Sequence, residues 1–291
     1  MQLIHFPGLN CYHDCIITLA GYAGLPYLHA LSRLWSEWDL RYDLIGRVFL
    51  TRRMPHTLQS MGLTLDVPCV TPETRTDRWA GIPTGAFALV GMDAMQIPWT
   101  PLYQLQHGPH YFIVQKCAGD SQCCFDATYQ IQGQTRPVSQ LLSDAYALIP
   151  VRIVKKPLAS FAPPTTLSSQ ARAVLEGHQR GLHAFFARAE VWLQGDGDSA
   201  LNPAKFVDAL FSARLMYRHF LAESCRALEQ APLFASQDYF SQWKTVKNGF
   251  YKAALRRQDP AVFGEACRRL SALLEAEQDL AAHILETAPQ K

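Results

Sequence analysis

The stretch Asn10-Cys-Tyr-His-Asp-Cys-Ile-Ile-Thr-Leu-Ala-Gly-Tyr-Ala-Gly24 decides how this chain is read. A polar opening gives way to an apolar face of Ile16, Ile17, Leu19 and Ala20, the spacing of an amphipathic helix from Cys11 to about Gly24. Cys11 falls at the start of that helix, where free N–H groups and the macrodipole favour a thiolate. Cys15, one turn later, reads as a core residue, the ordinary place of a cysteine that does no chemistry.

Working outward, short apolar runs punctuated by Gly and Pro fill the rest of the first half. A second helix is expected over 28–38, and strands over 48–50, 85–91, 110–115 and 122–126. A short helix over 138–145 and a closing strand over 147–154 complete an α+β layout. Pro157-Leu-Ala-Ser-Phe-Ala-Pro-Pro-Thr-Thr166 has the composition of an extended linker. Beyond it, helices are expected over 168–193, from Asn202-Pro203 onward, over 236–257 and over 259–286, with Phe206, Leu210, Phe211, Met216, Phe220 and Leu221 as bundle core. The expected division is a catalytic domain at 1–156, a Pro-rich linker at 157–167 and an all-α domain at 168–291.

The composition agrees with a folded chain: 291 residues, 48% hydrophobic, 18% charged, formal net charge +2. Its 27 basic residues are scattered, the densest groups being pairs such as Arg52-Arg53, and form no stripe along one face, so nucleic acid is set aside as a partner class. The N-terminus lacks a basic n-region and Pro7-Gly8 interrupts its apolar stretch; no run of about 18 apolar residues exists for a membrane span. A cytoplasmic protein is expected, and the eight cysteines are then read for catalysis, metal binding or burial rather than for disulfides.

A cysteine nucleophile needs a histidine, and His110 opens the apolar strand Tyr-Phe-Ile-Val-Gln after Gly108-Pro109, so a rigid sheet would hold its ring. The imidazole in turn needs an orienting group. Asp126 ends the next expected strand, and a hairpin would bring it to the start of the His110 strand. Metal binding is the competing use of Cys11, His13 and Cys15, with Cys117, Cys123 and Cys124 as further ligands. Yet Cys11-x-His-x-Cys leads straight into a helix rather than into a zinc knuckle, so no metal is expected.

With these residues in place, the chain resembles the butirosin biosynthesis protein H family. The resemblance lies in the Asn10–Gly24 stretch, in Val90-Gly-Met-Asp-Ala-Met-Gln-Ile-Pro-Trp-Thr-Pro-Leu-Tyr-Gln-Leu-Gln-His-Gly-Pro-His-Tyr-Phe-Ile-Val114, and in Phe125-Asp126 at the acid position. It covers roughly residues 1 to 155. It implies a papain-like cysteine fold, shared with bacteriocin-processing transporter peptidases, that moves an acyl group from a carrier-protein thioester to an acceptor in specialised-metabolite biosynthesis. Carried over, Cys11 is the nucleophile, His110 the general base and acid, and Asp126 the orienting acid. The backbone N–H of Cys11 is one oxyanion donor. Papain-like enzymes place a glutamine six residues before the cysteine, where this chain has His5, so Asn10 or His5 would be the second.

No bound cofactor is implied; phosphopantetheine on an acyl or peptidyl carrier protein brings the acyl group, and a small-molecule amine or alcohol accepts it. Trp99, Tyr103, Asp93 and His107, with Trp79, are the candidate substrate-binding residues. The same triad with water as acceptor would make a thioesterase or an amide hydrolase or peptidase, and a binding module that merely docks a carrier is a third reading. The helical half would cap the site, form a homodimer or dock the carrier, with Arg214, Arg218, Arg226, Lys244 and Lys247 as candidate basic contacts.

Overall fold

The computed structural model describes residues 1–44, 46–154, 164–195, 197–224, 227–256 and 259–288. Along the chain run α1 (Cys11–Tyr22), α2 (Leu28–Leu31), β1 (Leu40–Asp43), β2 (Val48–Thr51), α3 (Arg53–Met61), β3 (Leu63–Leu65), α4 (Pro72–Ala80), β4 (Phe87–Asp93), β5 (Pro109–Gln115), β6 (Ser121–Asp126), β7 (Ile131–Pro137), α5 (Val138–Asp144) and β8 (Ala145–Ile153). Four long helices follow: α6 (Leu167–Gln194), α7 (Asn202–Glu223), α8 (Gln237–Leu255) and α9 (Pro260–Thr287). The fold is α+β. Among the described residues, no helix is long and apolar enough to cross a membrane.

The chain forms two compact units: Met1–Tyr27, Leu44–Arg47 and Pro55–Ala162 make the first, and Leu28–Asp43, Val48–Met54 and Pro163–Lys291 the second. The expected division at the Pro-rich segment therefore differs in one respect: Leu28–Asp43 and Val48–Met54 belong with the C-terminal helices. Residues 157–163 of the expected linker lie outside the described residues, whereas Thr166 caps α6 by accepting from Ser169 N.

In the first unit, six strands form an antiparallel sheet in the order β3-β8-β4-β5-β6-β7. Side chains alternate across a strand. Val90, Met92, Phe112, Val114, Cys124 and Leu148 accordingly share a core with Trp79, Ile97 and Leu141. On the opposite side, Tyr111 of β5 meets Tyr12 of α1 with ring centroids 5.4 Å apart. Gly91 is required where β4 passes two tyrosines, since a Cβ there would lie 2.5 Å from Tyr146 Cε2 and 2.9 Å from Tyr111 Cε1. The strand expected at 85–91 starts later because Gly85, at φ +87, belongs to the turn before it.

The second unit pairs β1 with β2 and packs α6 on α9, α7 on α8 and α8 on α9. The helix expected over 28–38 stops at Leu31, because the residues beyond it serve tertiary partners. Trp35 Nε1 donates to Glu277 Oε2 at 3.1 Å, and the Glu37 carboxylate accepts from Asp39 N and from the Thr51 hydroxyl.

Glu277 is fully buried and also accepts from His178, Tyr239 and Arg214. Burial works against its charge, yet the Arg214 guanidinium and His178 hold it well below the usual carboxylate range. Arg214 is thus a core residue and not a docking contact: its side chain is fully buried, and removing either partner would strand a charge. Of the other basic candidates, Lys247 pairs with Asp208 at 3.1 Å, Arg218 lies over the Phe240 ring at 5.3 Å and Lys244 is exposed. Arg226 lies outside the described residues. Asp259 caps α9 as its sequence predicts, but Asn202 does not cap α7, because a 3₁₀ turn (Gly197–Leu201) runs directly into that helix.

Candidate active site

The N-terminus of α1 is built by Asn10, whose side-chain oxygen accepts from His13 N at 3.0 Å while its carbonyl accepts from Asp14 N at 2.8 Å. This leaves Cys11 as the first helical residue, half-buried, with an N–H that has no acceptor within the helix. Cys15 is fully buried, and burial raises its thiol pKa well above the ordinary value. The two cysteines of this helix therefore divide into a half-buried one at the helix start and a fully buried one in the core.

His110 begins β5, and Asp126 ends the neighbouring antiparallel strand β6. His110 Nε2 and Asp126 Oδ2 stand 2.7 Å apart, with 4% and 1% of each residue exposed. Because Nε2 is turned to the carboxylate, Nδ1 is the ring nitrogen left over, and Cys11 is the second neighbour that favours the charged ring. Burial disfavours the charged imidazole. The hydrogen bond to Asp126, the contact with Cys11 and the charges of both outweigh it and raise the His110 pKa to about 9. Cys11, His110 and Asp126, separated by up to 115 residues in sequence, thus form one connected set.

Asp126 is itself held on several sides. Trp99 Nε1 donates to the same Oδ2 at 2.9 Å, and Tyr129 N donates to Oδ1 at 3.3 Å. The Trp99 ring stands edge-on against Phe112. Trp99, expected as a substrate-binding residue, is brought against Asp126 by its Nε1 bond. Tyr129, which the sequence reading did not single out, packs its ring 5.1 Å from that of His110, and burial beside Asp126 and Cys11 raises its phenol pKa. Tyr146 reaches across from β8, its hydroxyl donating to the His110 carbonyl at 3.3 Å.

A second acid was also missed. Asp14, one turn along α1 from Cys11, is fully buried between His5 Nδ1 at 2.9 Å and the Thr128 hydroxyl at 2.6 Å. Burial raises its pKa, with the bonds to Thr128 and His5 opposing. His5 is thereby tied to the first turn of the cysteine helix through Nδ1, and Nε2 of this partly exposed ring is left over, an acceptor in the neutral ring and a donor in the imidazolium. The Asn10 carbonyl oxygen is committed to the cap, so only its amide nitrogen could serve an oxyanion. An acidic residue in the first turn of the cysteine helix was the available signal for Asp14.

The remaining candidates have partners of their own. Asp93 and His107 are engaged with each other, Nδ1 to Oδ2 at 2.6 Å, and Asp93 Oδ1 also accepts from Met95 N and Gly108 N. This cluster ties the end of β4 to the start of β5. It sits one register position from the Met92–His110 pair, where alternation turns the side chain to the other face. Tyr103 is exposed at the surface, its hydroxyl accepting from Gln104, and Trp79 belongs to the apolar core. Among the described residues, no group of three or more His, Cys, Asp or Glu is arranged to hold a metal ion.

No protein-family model matches this chain, and no curated protein matches its sequence.

Proposed function

We propose that the chain is a cysteine-dependent acyltransferase built on a papain-like unit, allied to the butirosin biosynthesis protein H family. The observation that carries this reading is His110, hydrogen-bonded through one ring nitrogen to buried Asp126 and interacting with a cysteine at a helix N-terminus. In the first half-reaction, the Cys11 thiolate attacks the carbonyl carbon of a thioester carried on the phosphopantetheine of an acyl or peptidyl carrier protein. The C–S bond to pantetheine then breaks, and imidazolium His110 protonates the departing thiolate. In the second, an amine or alcohol attacks acyl-Cys11, His110 accepts the nucleophile's proton, and the Cys11 thiolate is released. Asp126 holds the ring in register through both steps, and Trp99 holds Asp126.

The tetrahedral intermediates need donors for their oxyanion. The Cys11 N–H supplies one, and His5, fastened to Asp14 through Nδ1, supplies the second from Nε2 in its imidazolium form. Cytoplasmic placement, where carrier proteins are loaded, belongs to the same proposal.

The test is intact-protein mass spectrometry after incubation with a panel of acyl-pantetheine thioesters, with and without added amines. A mass gain equal to the acyl group, absent in Cys11→Ala, supports covalent catalysis, and its transfer to an amine supports the acyltransferase. Release of free acid at a rate indifferent to amine would replace the reading with a thioesterase or amide hydrolase on the same triad. No mass gain with any donor would remove both.

A further inference from the structure

The turn between β5 and β6 brings two more cysteines together, at the opposite end of β5 from His110. Gln115 pairs with Cys123 across the strands, so Cys117, two residues further on, shares the face of Cys123 and lies diagonal to it. The two Sγ atoms are 3.0 Å apart. A disulfide requires them to close by about 1 Å.

The intervening turn is already fixed. Gln122, almost fully buried, accepts from Cys117 N at 2.8 Å, while its amide nitrogen donates to the carbonyls of Gly119 and Asp120 at 2.8 and 3.1 Å. Gly119 takes φ +88, which the turn requires and a side chain would resist. Both cysteines are half-buried, open to a small reagent yet held in place. Their neighbour Cys124 points into the apolar core, and burial pushes its thiol up to about 12, so it does not compete.

We propose that Cys117 and Cys123 are a reversible intramolecular disulfide site, oxidised by low-molecular-weight disulfides of the oxidised glutathione type. One protein thiolate attacks a reagent sulfur, breaking the reagent's S–S bond, forming a mixed disulfide and releasing one reagent thiol. The second protein thiolate then attacks the protein sulfur of that mixed disulfide and expels the other reagent thiol. The dithiol loses two electrons to the reagent, and its two protons end on the two released thiols. The new bond staples β5 to β6, the strands that carry His110 and Asp126, and it forms whether or not the acyltransferase reading holds.

The experiment treats the full chain with oxidised glutathione, removes the reagent, unfolds the chain in urea containing iodoacetamide to block remaining thiols, and maps tryptic peptide 117–152, which holds Cys117, Cys123 and Cys124. The expected peptide is alkylated at Cys124 alone and carries an internal Cys117–Cys123 bond that makes those two residues about 2 Da lighter than the reduced pair, reversible with dithiothreitol. Cys117→Ser and Cys123→Ser should each trap glutathione on the remaining partner. The proposal is overturned by a wild-type peptide in which Cys117 and Cys123 are both alkylated or both glutathionylated, or in which the cross-link runs through Cys124.

Discussion

Replacing Asp126 with Asn tests the electrostatics of the candidate site most directly. The side chain keeps its shape and loses its charge, while His110 stays buried. The His110 pKa is raised from 6.5 to about 9. At 1.36 kcal/mol per unit, that rise is about 3.4 kcal/mol in favour of the imidazolium, gained against the cost of burial. Asp126 is the foremost of the partners that raise it, through both a hydrogen bond and its charge. Asp126→Asn should therefore bring the ring to about pH 7 or below, and the imidazolium population at pH 8 should drop from about 90% to about 10%. The assay is NMR titration of labelled histidine, read alongside the rate of Cys11 alkylation by iodoacetamide. A His110 resonance that still titrates near 9 in the variant would refute the assignment of Asp126 as its main partner. One that titrates near 6.5 in the parent protein would refute the ion-pair geometry altogether.

The same shift carries a pH dependence. Because the folded-state pKa lies above the unfolded value, His110 contributes its full stabilisation below about pH 6.5 and loses it as pH rises through about 9. Urea melts of the parent should lose up to about 3 kcal/mol across that window, and Asp126→Asn should flatten the profile. Trp99→Phe removes one hydrogen bond to a carboxylate while keeping a ring against Phe112. At about 1.5–3 kcal/mol for such a bond, acyl-Cys11 formation should slow about tenfold or more, and an unchanged rate would deny Trp99 its positioning role. Gly91→Ala pushes a methyl against Tyr146 and Tyr111 and should cost about 1–3 kcal/mol in a denaturant melt. Arg214→Met leaves Glu277 buried without its guanidinium and should cost about 3–5 kcal/mol, whereas a surface docking residue would cost almost nothing.

Much of the architecture was legible because it is written in local periodicity. The α1 helix, β5, β6, α5 and the four C-terminal helices lie within a few residues of where apolar spacing and turn residues put them. What escaped has particular causes. Helix α4 buries only Arg75 and Trp79, so it shows no apolar stripe, although Thr71 and Pro72 offered a cap and a helix start. Strand β7 is mostly exposed and polar, and its place comes from pairing with β6 rather than from any pattern of its own. The helix expected through Trp35 ends early because Trp35 and Glu37 satisfy partners far away in sequence, a tertiary gain larger than helix propensity.

Cys11, His110 and Asp126 were nameable from residue type, each beside a helix start or strand end. By itself the sequence determined where elements begin, which cysteine opens a helix and which side chains are chemically able to act. The tertiary structure decided the rest. It bonded Trp99 to Asp126, paired Asp93 with His107 and drew Arg214 into the core. It also joined His5 to Asp14 and set Cys117 beside Cys123. Whether a polar side chain faces solvent, substrate or another side chain depends on what long-range packing places within about 3 Å of it. Neighbours in sequence do not encode that distance.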